Sequence, residues 1–463
     1  MTLLCFDISS SGIAAALFDS KLEPIQLGEH RWAPGATLDL VNIVAHFKQS
    51  IAKVKPESVD AICIGTFMHN IVLLDANENA LTPVFTWLDS RGESGVESLR
   101  KRLGNTFHQR TGCRYHPMFP VFKLASLDVS GSARAVSLKS FLLHALTGEW
   151  IEDHGMACAS GLYNILEDRW DPELLQLTGL SEKHMPGVRS WTDIAGGVTA
   201  AAAAEFGLPA NTPVINGSGD GFLANAGSGC ETPAKISVTL GTSAVARQTF
   251  PRPVLNSSSG TFCYKAADDS YLLGCAGNNG GNVLDWGRSV LGTLEDAGLS
   301  SDPPIFIPLL FGERSPEWNP QLTGSWHGLT AQHTVTDLSR SILEGVIFNV
   351  AYFVDIVQST SGHKASEIVL SGNGFLHSLA APLLATVVDP TVRMPSQPGL
   401  TSLRGAGVCA LRALGPPIPS LRAEIVRPLA DLKIRERYHR YRKIRLVLAG
   451  SGTTIFAFGL PAN

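Results

Sequence analysis

Little in this sequence points toward nucleic acid, structural metal or membrane. The formal net charge is −4. A nucleic-acid surface needs a basic surplus, so no nucleic-acid partner is expected. The eight cysteines contain no Cys-x-x-Cys pair, which removes the commonest zinc spacing. Most of them sit in apolar or glycine-rich runs and read as small buried hydrophobes. No unbroken apolar run approaches the roughly 18 residues of a membrane helix. The opening residues reach Asp7 without the basic stretch of a secretory signal. No membrane partner is expected, and the expected location is cytoplasmic. A Walker loop is missing too. The glycine-rich run from Gly274 to Gly281 has no acidic residue at the spacing a dinucleotide fold requires, which disfavours a nicotinamide enzyme.

What is present is a chain of 463 residues with 45 glycines and 44% hydrophobic residues. At about 150 residues per domain this predicts two or three domains. Residues 2–6 and 12–19 read as apolar strands joined by a Ser-Ser-Ser-Gly turn, and residues 61–65 and 70–74 repeat the pattern. Helical spacing appears at 38–54, 137–146 and 195–208. Residues 213–216 form a strand entering Gly217-Ser218-Gly219-Asp220-Gly221. Residues 235–240 and 244–248 then echo the opening: strand, small polar turn, strand. Strands alternating with helices predict an α/β layer architecture in two similar halves. Further on, 336–359, 375–388 and 400–414 read as helices, and 368–370 as a strand. Residues 435–442 read as a basic helical end with a solvated face. The division expected is 1–228, 229–448 and a loosely held tail at 449–463. Gly227 and Gly229 are candidate hinges.

Three small-residue turns follow strands: Ser9-Ser10-Ser11-Gly12, Gly241-Thr242-Ser243 and Ser371-Gly372-Asn373-Gly374. Small side chains let backbone N–H groups approach an anion, and hydroxyls add donors. Each alone reads first as a plain hairpin or strand-to-helix turn; together they suggest loops gripping a polyphosphate. Asp7 and Asp220 both end strand-like runs. Such carboxylates can hold Mg²⁺ through water or take a proton from an attacking hydroxyl. Either could also be a turn residue or a helix cap.

These blocks resemble the FGGY carbohydrate kinases, and among them the gluconate kinases. The resemblance runs from Leu3 to about Arg442. It includes 7–19, 67–75, Thr86-Trp87-Leu88-Asp89-Ser90-Arg91, 111–124, 217–221, 240–244, 278–286, 308–320 and 371–378, in the family's order. It implies two actin-like, ribonuclease-H-like ATPase domains around a central cleft, with ATP and Mg²⁺ between them. The implied catalytic base is Asp220, and Asp7 would place the metal. Ser10, Ser11, Gly241, Thr242, Gly281, Gly372 and Asn373 would lie against the nucleotide, and Met68, His69, Asp89 and Met118 would line the sugar side. The implied activity is phosphorylation of a hydroxyl on a small open-chain sugar or sugar acid, gluconate first. The alternatives are a kinase for another polyol or ketose such as xylulose, or a catalytically impaired sugar- or nucleotide-binding homologue. The last is motivated by two departures in the first phosphate motif: Ser9 stands at a glycine position, and Ala14 stands where the family carries a cation. A homodimer is compatible with this picture.

Overall fold

The computed structural model describes residues 1–450 other than 57, 268, 293, 295–301 and 432. From residue 451 onward, the expected loose tail lies outside the described residues.

Two sheets organise the chain. In the first, Leu3–Ser9 pairs antiparallel with Gly12–Phe18, which pairs antiparallel with Pro24–Arg31. On its other side Leu3–Ser9 pairs parallel with Ala61–Thr66, and that strand pairs parallel with Pro213–Gly219. The second sheet repeats this order. Lys235–Leu240, Ala244–Phe250 and Ser270–Gly277 are antiparallel neighbours. Glu367–Ser371 and then Thr391–Pro395 extend the sheet in parallel from Lys235–Leu240. Each half is therefore a three-strand meander continued by two parallel strands. This is the expected α/β fold of two actin-like halves. The strand at 70–74 behaves differently. Val72–Leu74 leaves the main sheet and pairs with Arg134–Val136.

Local chemistry sets most element ends. The expected helix at 38–54 is Leu40–Val54, because the Asp39 side chain accepts from Asn42 N and caps it. Its buried residues Leu40, Ile43, Phe47, Ile51 and Val54 recur at helical spacing and pack on the first sheet. The helix Val335–Ser361 starts at a Thr334–Asp337 capping box and ends at Gly362 with φ +68°. It is long and apolar enough to cross a membrane by composition. Here it is the core helix of the second half, burying Ile342, Val346, Val350 and Phe353.

Three expectations change. Residues 195–208 divide into an edge strand, Ile194–Gly197, and a helix, Ala200–Phe206, because Thr199 caps the helix by accepting from Ala202 N. Residues 375–388 divide into a turn of 3-10 helix, Asn373–Leu376, and the helix Ala380–Val387. The basic end is a solvated face only in part: Arg435, His439, Arg440 and Lys443 are exposed, but two arginines turn inward. Within the helix Lys433–Gly450, Arg437 and Arg445 are buried, paired with Glu344 at 2.7 Å and Glu317 at 3.1 Å.

The helix Thr401–Leu414 comes late in the chain yet packs on the first sheet. Leu403, Val408 and Leu411 share a core cluster with Leu3, Cys5, Cys63 and Ile215. It also lies against the helix Asp220–Gly227 with almost no separation. A Cβ at Gly405 would fall 1.8 Å from Leu223 O, and one at Gly227 would fall 1.9 Å from Thr401 O. Gly227 is thus a contact glycine within a packed helix pair. Gly229, with φ +67° and open space, keeps the freedom of a hinge. All eight cysteines are buried and unbridged, as expected.

Candidate active site

The three small-residue turns converge on one cleft of about 1070 Å³. The first turn connects Leu3–Ser9 to Gly12–Phe18. Its Ser9 hydroxyl donates to Gly12 O at 3.1 Å and accepts from Ser11 N at 3.2 Å. Trp32 ties down the far side, donating from Nε1 to Ser10 O at 3.0 Å and from its backbone N to Ser11 O at 2.9 Å. Ser9 and Ser11 line the cleft; Ser10 is not in its lining. The second turn meets the start of the helix Gly281–Leu291, where Gly281 N donates to Gly241 O at 2.7 Å and Asn282 N to Thr242 O at 3.2 Å. Glycine is needed at 281, since a Cβ there would fall 2.7 Å from Gly241 O. The third turn pivots at Gly372, with φ +89°, and its N–H donates to Pro398 O at 2.8 Å. Gly241, Thr242, Gly281, Gly372 and Asn373 all line the same cleft.

Asp7 and Asp220 meet below these turns. They line a second cavity of about 170 Å³. Asp7, Gly372 and Gly399 line this cavity and the large cleft alike. Asp220 opens the helix Asp220–Gly227 at the end of Pro213–Gly219, and its Oδ1 accepts from Gly221 N at 2.7 Å. Burial pushes its pKa up, opposed first by the nearby Arg247 charge. The Asp7 carboxyl is pushed up to about 7, by burial and then by the Asp220 charge. Asp7 Oδ1 is buried without a hydrogen-bond partner. An orphaned carboxylate oxygen facing a second carboxylate is a donor set that suits a hard cation such as Mg²⁺. Among the described residues no cluster of three or more metal-ligating side chains exists. Such an ion would therefore take most of its ligands from water and from a bound phosphate chain.

Of the residues expected on the sugar side, Met68 lies against Gly219, and none of Met68, His69, Asp89 and Met118 lines either of these two cavities. A Cβ at Gly219 would fall 2.7 Å from Met68 Cγ. His69 holds a left-handed backbone, φ +63°, and its Nδ1 pairs with Ala159 O at 2.8 Å. Burial, joined by the charges of Arg314 and Lys123, pulls its pKa down to about 3. A neutral ring with Nδ1–H spent on a carbonyl keeps Nε2 as an acceptor. Met118 is buried and its N–H donates to His116 Nδ1 at 3.2 Å. Asp89 is occupied: Arg91 Nε donates to its two oxygens at 2.8 and 3.0 Å. Asp89 is thus held as half of a side-chain pair.

Three buried cations were not foreseen: Lys123, Arg247 and Arg314. Lys123 is fully buried and bonded to Met118 O; burial draws its pKa down to about 7. Arg314 donates from Nη2 to Gly277 O at 2.6 Å, lies 5.5 Å from the Trp87 ring, and has no partner for Nε. Among the described residues, none of the three has a carboxylate within 4.0 Å. The available signal was a charged residue inside an otherwise buried segment, as in Ala244–Phe250.

Comparison with known proteins places this geometry. The model of the FGGY family of carbohydrate kinases, N-terminal domain, matches residues 8–227, and that of its C-terminal domain matches residues 236–414. The chain is 28% identical to a gluconokinase of Bacillus subtilis over 451 residues, covering 89% of this chain and 88% of that protein. It is 29% identical to a xylulose kinase of Escherichia coli over 350 residues, covering 72% of this chain and 71% of that protein. A ligand-bound xylulose kinase from Lactobacillus acidophilus superposes with a TM-score of 0.90 at 24% identity, covering 97% of this chain and 99% of that one. With both domain models matched in order across the cleft they enclose, the chain belongs to the FGGY family of carbohydrate kinases and is a sugar kinase.

Proposed function

We propose that this sugar kinase transfers the γ-phosphoryl group of ATP to a hydroxyl of gluconate, with Asp220 as general base. The observation that carries this reading is the meeting of Asp7 and Asp220 where the three turns end. The acceptor hydroxyl sits against Asp220. Its oxygen attacks the γ-phosphorus, its proton passes to the carboxylate, and ADP leaves. A base whose pKa is raised by burial is better matched to a hydroxyl proton at neutral pH than an ordinary carboxylate. The three turns align the phosphate tail, and this positioning supplies much of the catalysis in phosphoryl transfer. Asp7 is the residue that would hold Mg²⁺, which supplies charge neutralisation on the phosphate oxygens when bound.

Two observations favour a sugar acid. The buried Arg314, which makes no ion pair with a carboxylate, acts with Lys123 on the ring of His69, so positive potential reaches the sugar side, where it would favour a carboxylate-bearing substrate. In sequence, the likeness to the gluconokinase extends over 89% of the chain and that to the xylulose kinase over 72%, whereas in fold a xylulose kinase matches 97% of it. The second reading, a ketose kinase, draws on that xylulose kinase at similar identity.

An ADP-release screen over gluconate, xylulose, ribulose, glycerol and erythritol decides between them. Turnover highest with gluconate is expected; turnover with a ketose and none with gluconate refutes the substrate. Asp220→Asn is expected to lose roughly 10²–10⁴-fold in kcat while calorimetry shows ADP still binding. Wild-type turnover in that variant removes Asp220 from the reaction.

A further inference from the structure

We propose that Arg247 is a catalytic residue whose guanidinium faces the transferring phosphoryl group and replaces the cation missing from the first phosphate turn. The first turn carries no cation of its own, and Ala14 stands directly across the hairpin from Asp7. Two other arginines line the large cleft, Arg31 and Arg288, but both are exposed and paired with Glu29 and Asp285. Arg247 differs on each count. It projects from the strand Ala244–Phe250, all of whose residues are buried, and is 8% exposed. Its Nη1 donates to Thr239 Oγ1 at 3.1 Å. A Cβ on Gly221 would come within 2.9 Å of Nη2, so the glycine beside Asp220 makes room for the guanidinium. Arg247, Asp7 and Asp220 line the same 170 Å³ cavity. Its volume is on the order of five water molecules, a fitting space for a phosphoryl group. This cavity shares Asp7, Gly372 and Gly399 with the cleft where the phosphate tail would lie.

Asp220 offsets part of the charge of this buried guanidinium without forming an ion pair with it, and the remaining cost calls for a ligand that supplies negative charge. A phosphoryl group does so and matches the planar fork geometrically. Burial draws the pKa of Arg247 down to about 10, opposed by Asp220, so the group stays charged at neutral pH. In the transfer the acceptor oxygen bonds to the γ-phosphorus. The bond to the β–γ bridging oxygen breaks, its electron pair leaves with ADP, and the hydroxyl proton goes to Asp220. Arg247 exchanges no proton. It donates to the equatorial oxygens, where charge is spread in the transition state.

The inference rests on the base assignment above, and the test separates the two. Arg247→Gln and Arg247→Lys are assayed with whichever acceptor the wild type turns over, beside Asp220→Asn. ADP affinity, melting temperature and the tightening of ADP by aluminium fluoride with Mg²⁺ are measured alongside. In Arg247→Gln the expected loss in kcat is about 10²–10³-fold, with ADP affinity within about threefold. The aluminium fluoride tightening disappears, and the lysine variant is intermediate in kcat. The proposal is overturned if the glutamine variant keeps kcat within about threefold of wild type, or if the tightening survives. Collapse of ADP affinity and melting temperature in both variants also overturns it, since the residue would then serve the fold. Wild-type turnover in Asp220→Asn defeats the base assignment and leaves the Arg247 comparison readable.

Discussion

Single side chains in this protein keep, over a wide pH range, charge states that they would lose in water. His69 and His108 are buried and held neutral, each with its pKa drawn down to about 3 by burial. Their folded pKa values lie below the unfolded value of 6.5. Their stabilising contribution is therefore complete above that value and lost as pH falls toward 3. At pH 5 each costs about 2 kcal/mol relative to pH 8. Urea titrations from pH 8 to 5 are expected to show falling stability. The slope should be shallower in His108→Gln, which lies away from the proposed chemistry; an unchanged slope refutes the neutral-histidine account. Arg314 makes a second test. If it meets the substrate carboxylate, Arg314→Met loses a charge-assisted hydrogen bond of about 1.5–3 kcal/mol. KM for gluconate should rise roughly 10- to 100-fold, with KM for ATP little changed. An unchanged KM for gluconate removes Arg314 from recognition.

At the scale of elements, the helices Asp220–Gly227 and Thr401–Leu414 pack with unusually little separation. They touch backbone to backbone because Gly227 and Gly405 have no Cβ to collide with Thr401 O and Leu223 O. Gly405→Ala is expected to cost about 3 kcal/mol, near the upper range for overpacking. It should also lower kcat, because the displaced helix begins at Asp220. Differential scanning fluorimetry and steady-state kinetics check both; a variant with wild-type melting temperature and kcat contradicts the contact. The sequence showed that 400–414 is a helix rich in small residues. It did not show which sheet the helix covers, because its apolar stripe would suit either half.

For the whole molecule, the C-terminal helix braces the loop that carries Arg314. Arg445 pairs with Glu317, Tyr441 donates to Asn349 Oδ1, and Asn349 donates to Glu313. Arg445→Met would leave Glu317 buried and unpaired, at about 3–5 kcal/mol. The double variant Arg445→Met/Glu317→Gln should recover much of that loss in thermal unfolding. Failure to recover would mean that the ion pair is not the source of the cost. The basic run around these residues gave no hint of this, because helical spacing alone does not reveal a buried partner elsewhere in the chain.

Short-range physics was legible in the sequence. Alternating apolar runs, serine and glycine turns and helix caps depend on residues a few positions apart, so the paired strands, the three turns and Asp220 at a strand end were all readable, and the ordered motifs carried the family. Long-range contact decided the rest. Asp7 meets Asp220, Arg247 slides beneath Gly221, and a late helix closes over the first sheet only once both halves are assembled. Burial then set the charge states, because desolvation belongs to a site in the folded molecule and to no residue in isolation.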